Sequence, residues 1–337
     1  MEYTMRIRIK FRKNGVLRFI GHLDVMRYFQ KAMRRANIDI KYSEGFSPHQ
    51  IMSFAAPLGV GITSDGEYFD IEVHSTASTE ASIAALNAVM AEGMEITGYV
   101  GLEQNAKKAM TAVAAADYLV YFKEREEFSQ GQIAAMIREY YTNRDSILIT
   151  KKTKKSEREM DVKPLIYQFF PFADHQKAAA GTLQNEGTAP FLSGQNGKEA
   201  RTETDGQDGG STCIQSAEVT LTEPAAFAPG SASYPCKGLS GGLLYPAEPI
   251  GSFATAHGRR GFFLQLCAGS TDNVKPELVL QNMYQFFGKP YEPFQLQIHR
   301  LEVYEKAGED LRPLIEAGSP IPSTCHEKKD SLYKYTV

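Results

Sequence analysis

The chain has 337 residues, 42% of them hydrophobic, enough for one large or two modest domains with cores of their own. A formal net charge of −3 excludes a generic polyanion binder, yet the charge is uneven: residues 1–50 hold eleven Lys/Arg against four Asp/Glu, and residues 173–258 hold four against nine. The four cysteines, Cys213, Cys236, Cys267 and Cys325, match no zinc or iron–sulfur spacing. The start, MEYTMRIRIK, carries no apolar h-region, and no apolar run reaches about 18 residues. A cytoplasmic protein is therefore expected, with no disulfide framework, metal, cofactor or membrane partner.

Residues 5–11 alternate strictly between apolar and basic, which predicts a half-buried strand with Arg6, Arg8 and Lys10 on its polar face. Asn14-Gly15 marks a turn, and residues 16–20 read as extended chain leading into a helix over 22–36. Leu23, Met26, Phe29, Met33 and Ala36 would form its apolar stripe, with Arg27, Lys31, Arg34 and Arg35 opposite. Strands follow at 38–42, 51–55 and 68–74, then a helix from Thr79 to about Met90, ended by Gly93, and a strand at 95–102. A second series starts at 118–123. It continues through a helix at 130–141, strands at 146–152 and 159–167, a strand at 261–266, a helix at 276–287 with Pro276 in its first turn, and a strand at 294–304.

This order predicts an α+β fold of two tandem ferredoxin-like (βαββαβ) units, one over 1–105 and one over 116–172 plus 259–306. Residues 173–258, rich in Gly, Ala, Ser, Thr, Gln and Pro, read as a disordered insertion. The tail over 307–337 reads as weakly ordered.

Several clusters are placed to carry function. Arg27, Lys31, Arg34 and Arg35 fall at i, i+4, i+7 and i+8, and with Arg6 and Arg8 they would line a surface that meets phosphates. In a ferredoxin-like unit the sheet face opposite the helix is open, and the two sets form one surface only where the sheet edge meets the helix flank. A solvated helix face is the plainer alternative. Tyr42 and Phe46 are suited to stacking on bases, and Ser43 and His49 to phosphate contact, in a turn shaped by Gly45 and Pro48; a structured loop plugging the core is the alternative. His22 and His49 are weak acid/base candidates, since no nucleophile or second base can be placed beside either. The loop from Pro57 to Ser64 holds two glycines but is neither a P-loop nor a dinucleotide fingerprint. Glu67, Asp70, His49 and His74 offer metal ligands without a metal spacing, and Lys151-Lys152-Thr153-Lys154-Lys155 reads as a solubilising hairpin tip.

The segment from Phe19 to Asp70 resembles a family of bacterial radical-SAM-linked (radical-SAM-associated) proteins. The resemblance rests on Arg6, Arg8, Phe19, Gly21-His22-Leu23-Asp24, Arg27, Arg34-Arg35-Ala36, Tyr42-Ser43, Gly45-Phe46, Pro48-His49, Phe54, Pro57-Leu58, Gly61, Ser64 and Glu67. Gly21 and Ser47 stand where the family commonly has Ser and Asn. The resemblance covers about residues 5–170. It implies a radical-SAM partner that holds the iron–sulfur cluster, because this chain has no Cys-x₃-Cys-x₂-Cys run and no cobalamin motif. Family neighbours implicate RNA or a ribosome-related complex by association.

The reading that follows is a non-catalytic accessory protein that presents RNA, or an RNA-containing complex, to a radical-SAM partner. One alternative is an RNA-processing enzyme, as tandem ferredoxin-like units also occur in CRISPR RNA endoribonucleases, with His22 or His49 as acid/base. Another is a protein–protein adaptor without nucleic-acid contact.

Overall fold

The computed structural model describes residues 4–123, 128–152, 157–172, 260–269, 272–293 and 295–323. The expected insertion at 173–258, the tip at 153–156 and the tail beyond 323 lie outside the described residues.

The first series begins with β1 (Met5–Lys13). A 3-10 turn over Gly15–Phe19 replaces the expected extended lead-in and delivers the chain to α1 (His22–Arg35). Asp24 sits in the first turn of α1, where a carboxylate complements the helix dipole. The helix stops at Asn37, which takes a left-handed φ of 53° while Ile38 N–H bonds back to the Met33 carbonyl. Val25, Phe29, Ala32 and Met33 are the buried stripe of α1, so the apolar face is rotated from the expected one and Leu23 is 58% exposed. Residues 38–42 make only isolated bridges, Ile40 to Val73 and Tyr42 to Gln50, rather than a strand. Then come β2 (Met52–Phe54), β3 (Thr63–Val73), α2 (Thr79–Asn87) and β4 (Met94–Leu102).

The second series opens with one helical turn, α3 (Ala109–Ala112), and β5 (Val113–Phe122). A capping box closes the start of α4 (Gln130–Ile137): the Ser129 side chain accepts from Gln132 N–H, and the Gln132 side chain accepts from Ser129 N–H. A π-helical turn over Arg138–Thr142 extends it. β6 (Leu148–Lys152) and β7 (Glu157–Asp161) pair as a separate hairpin. The single strand expected at 159–167 is split, because Pro164 sits in a 3-10 turn over Lys163–Leu165 and cannot continue a ladder. β8 (Ile166–Phe172), β9 (Gly261–Cys267), α5 (Pro276–Phe286) and β10 (Leu296–Ala307) complete the series.

The protein is a mixed α/β structure in which ten strands share one mixed sheet, ordered β12-β4-β1-β3-β10-β5-β9-β8, with β2 on β3 and β11 on β10. β11 is Asp310–Pro313 and β12 is Gly318–Ser319. Among the described residues every strand pairing is antiparallel except β3 with β10, which join through two register positions, Thr63 with His299 and Ser64 with Arg300. At this seam a Cβ on Gly66 would come within 2.7 Å of the Glu302 Cα and the Leu301 carbonyl, so the close approach requires glycine. One core packs α1 and Leu86 of α2 on β1, β3 and β4; another packs α3, α4 and α5 on β5, β8, β9 and β10.

Two expectations need correction. The tail is ordered to residue 323: β11 pairs β10, β12 pairs β4, and a 3-10 turn over Leu314–Ala317 joins them. That turn also covers the sheet face expected to be open, since Leu314 is fully buried and a Cβ on Gly98 of β4 would meet Ile315 at 2.8 Å.

Candidate nucleic-acid interface

Burial of Val25, Phe29, Ala32 and Met33 fixes the rotation of α1; Val25, Phe29 and Met33 each stabilise the fold by about 1.5–3 kcal/mol when fully buried. The opposite face then presents Leu23, Arg27, Lys31 and Arg34, all exposed. Arg27 pairs with Asp24 at 3.3 Å, an exposed i,i+3 contact that leaves the guanidinium mostly in solvent. Arg34 Nε donates to the Gln30 carbonyl of its own helix at 3.4 Å. Arg35 lies on the other flank, where it donates to the Val89 carbonyl beyond α2 at 3.2 Å. The structure thus brings Arg27, Lys31 and Arg34 together and turns Arg35 aside.

The Tyr42–Gln50 turn joins this face. Gln50 is buried and its Nε2 donates both to the Gln30 carbonyl, at 3.2 Å, and to the Tyr42 hydroxyl, at 3.3 Å. Tyr42 is therefore fixed beside the α1 turn on which Arg34 also rests. The tip of the turn passes through Gly45, at φ 106°, a conformation that L side chains rarely adopt. Beyond it the Phe46 ring is fully exposed and plugs no core. Ser43 Oγ accepts from His49 N–H at 3.1 Å and lies 2.8 Å from His49 Nδ1, so this pair closes the turn.

At the start of α1, Phe19 is 54% exposed and the Arg18 guanidinium lies 4.7 Å from its ring centroid. The Gly61 N–H donates to the Arg18 carbonyl, which ties the 3-10 turn to the Pro57–Ser64 loop, where Val60 is exposed. Sequence reasoning left Arg18 and Phe19 out of the site. The visible signal was a cation followed by a ring just after the Asn14-Gly15 turn.

The β1 arginines are placed elsewhere. Arg8 is fully buried; its Nε and Nη2 hold Asp70 at 2.8 and 3.1 Å, and it donates to the carbonyls of Leu314 and Lys107. Arg6 is partly buried, 3.6 Å from Asp70, and donates to the Ala106 carbonyl. Their expected place on a phosphate-binding surface is thus corrected. The 314–317 turn and the 106–109 segment lie over that face, and its guanidinium groups are held by internal partners. Lys10 likewise pairs with Glu302 at 2.6 Å.

A second set of charges lies buried at the β3–β10 seam. Glu67 and Arg300 pair at 3.0 Å, and Arg300 also donates to the Ala56 carbonyl. Burial pushes the Glu67 carboxyl up, opposed by Arg300 and by its bond with Ser64. Lys13 is buried with its Nζ 3.1 Å from the Ile20 carbonyl; burial holds its ammonium pKa down, with Glu67 acting the other way. His22 sits at the first position of α1 with its ring edge-on to Phe54 at 5.1 Å. Burial lowers its pKa and nearby Lys13 lowers it further. Among the described residues no side chain hydrogen-bonds His22. An acid/base dyad at His22 therefore has no geometric support, whereas His49 has the Ser43 hydroxyl at its Nδ1, in the contact that closes the turn. Among the described residues no three His, Cys, Asp or Glu side chains gather as metal ligands, and no helix is long and apolar enough to cross a membrane. Cys267 is buried with its thiol on the Asp272 carbonyl, and the other three cysteines lie outside the described residues.

A row of exposed cations flanked by exposed rings can hold phosphates and stack on bases, and it performs no bond-breaking step by itself. Residues 6–190 match the family described as "Uncharacterized protein conserved in bacteria (DUF2344)", and no curated protein matches the chain. That span is more than half of the 337 residues, so the chain belongs to this family.

Proposed function

We propose that this member of the DUF2344 family is a non-catalytic accessory protein that holds RNA, or an RNA-containing complex, for a radical-SAM partner in the cytoplasm. The observation that carries the RNA half is the exposed face of α1, where Arg27, Lys31 and Arg34 stand free of the core, with Tyr42 tied to the same helix through Gln50 and Phe46 exposed further along that turn. Internal pairs absorb Arg6, Arg8 and Lys10, so of the cations expected at the site those left to an external anion lie on α1. The radical-SAM half rests on the sequence resemblance alone. The reading includes a fold assignment: two ferredoxin-like units in tandem. Supporting it, β4-β1-β3-β2 and β10-β5-β9-β8 each run in the spatial order fourth, first, third, second, with antiparallel neighbours throughout.

Retention of a labelled RNA pool as a function of salt tests the RNA half. Each phosphate contact to a single strand contributes about 0.7 to the slope of log affinity against log salt. Arg27→Ala with Arg34→Ala should weaken binding and flatten that slope by about 1.4. Folding should survive, because exposed substitutions change stability by about 0.5 kcal/mol or less. Unchanged affinity in the folded double variant would move the adaptor reading ahead, and cleavage of the pool would favour an RNA-processing enzyme. A pull-down from the native cell that reports proteins and RNA together tests the partner.

A further inference from the structure

We propose that the ligand of this face is single-stranded RNA held by base stacking, with Phe46 and Phe19 as platforms at two places along the α1 cation row. The proposal rests on the RNA-binding reading above and names the form of RNA that the site takes. The Phe46 ring is fully exposed at the tip of a turn held by Gly45, so it contributes nothing to the core and both of its faces are open. Phe19 is 54% exposed, and Arg18 occupies only one side of it at 4.7 Å. A guanidinium on one face of a ring leaves the other face for a base. Tyr42, 43% exposed, is tied through Gln50 to the Gln30 carbonyl that Arg34 also contacts, and it begins the turn that carries Phe46.

The choice of a single strand follows from what these rings can touch. A duplex keeps its base faces stacked inside and offers phosphates and groove edges, so exposed rings would find no π-face there. Unpaired nucleotides offer both the phosphate and the base face, and this region exposes both cations and rings to meet them. An acidic protein would meet the same cations. It would favour rings gathered into one apolar core, whereas Phe19 and Phe46 sit on separate turns.

The chain contains no tryptophan, so Phe46→Trp introduces a single indole at the proposed platform. Titration with a short single-stranded RNA should quench that indole, and the same sequence in a blunt duplex should not. Phe46→Ala should weaken single-strand binding roughly tenfold while leaving the salt slope unchanged, because stacking releases no counterions. Circular dichroism of each variant should match the parent. Equal binding of duplex and single strand, with no quenching and no loss in Phe46→Ala, would overturn the stacking proposal and leave RNA binding by charge intact. Failure of the parent to bind either form would overturn both readings. Quenching by poly-glutamate as strong as by RNA would overturn the proposal in favour of an acidic protein partner.

Discussion

Arg8 shows how far a residue's role can lie from its local pattern. In sequence it is one of a run of alternating cations, which is how a solvated strand face looks. Its carboxylate partner, Asp70, is 62 positions away, and the carbonyl that caps it, Leu314, is 306 positions away. Neither distance is visible to a local reading, so the charge run looked like a binding surface while the fold uses it as internal scaffolding. Asp70 also accepts from Ala109 N–H at 2.7 Å, which anchors α3 to the sheet. Asp70→Ala should therefore cost about 3–5 kcal/mol in urea denaturation, because it strands a buried guanidinium. A loss below about 1 kcal/mol, the range of an exposed pair, would show that water reaches Arg8. His22 makes a pH prediction. Its folded pKa lies below the ordinary 6.5, so the folded state resists protonating it. Its contribution to stability is present above pH 6.5 and is lost as pH falls through the lowered folded value. Unfolding free energies measured between pH 7.5 and 5 should fall less steeply in His22→Asn than in the parent. Parallel profiles would place His22 in ordinary solvent.

Elements that rest on strong periodicity were legible, and elements that depend on distant partners were not. α1, α2 and β4 fall close to their expected positions because each buries a face at its own repeat. The stripe of α1 was displaced because Leu23 and Met26 compete with Val25 and Ala32 for the same helical spacing, and only the neighbouring sheet decides between them. β3 begins at Thr63, five residues before the expected start, because its early part pairs with β10 and buries Ser64 and Glu67 there. Polar residues inside a strand look like a loop until their partners Arg300 and His299 arrive from the far end of the chain. This seam yields an element-scale prediction. Gly66→Ala places a methyl against the β10 backbone at 2.7 Å, and backbone cannot yield as a side-chain tip can. It should destabilise the protein by about 1–3 kcal/mol, as overpacking does. Amide exchange should rise at Thr63–Glu67 and His299–Glu302 before it rises in β1. Unchanged exchange at those positions would mean that the seam tolerates separation of β3 and β10.

At the scale of the whole molecule, the chain closes one sheet from strands at both of its ends, and β12 near residue 318 caps β4 from the first hundred residues. The expected tail was read from its prolines and charges, yet Leu314 and Ile321 are buried by it and Arg8 is capped by it. Composition marked the segment as polar, and only the packed structure assigns it a lid over the β1 face. The opposite case is the stretch between β8 and β9. Phe172 and Gly261 are cross-strand partners, so the two ends of residues 173–260 lie one ladder rung apart. A hairpin needs only a few residues there. Replacing residues 173–259 with Asn-Gly, so that Asn-Gly-Arg260 joins the strands, supplies a short loop with a glycine for the left-handed position. The shortened loop lowers the closure entropy by between four and five halvings of length, which amounts to roughly 2–3 kcal/mol in favour of folding. The shortened chain should unfold cooperatively at a denaturant midpoint no lower than the parent's. Its RNA retention should match the parent's, because the α1 face and the Tyr42–Gln50 turn lie wholly within the first series. Loss of cooperative unfolding would mean that the segment contributes packing to the sheet. Preserved folding with lost RNA retention would assign the segment a share of the binding surface.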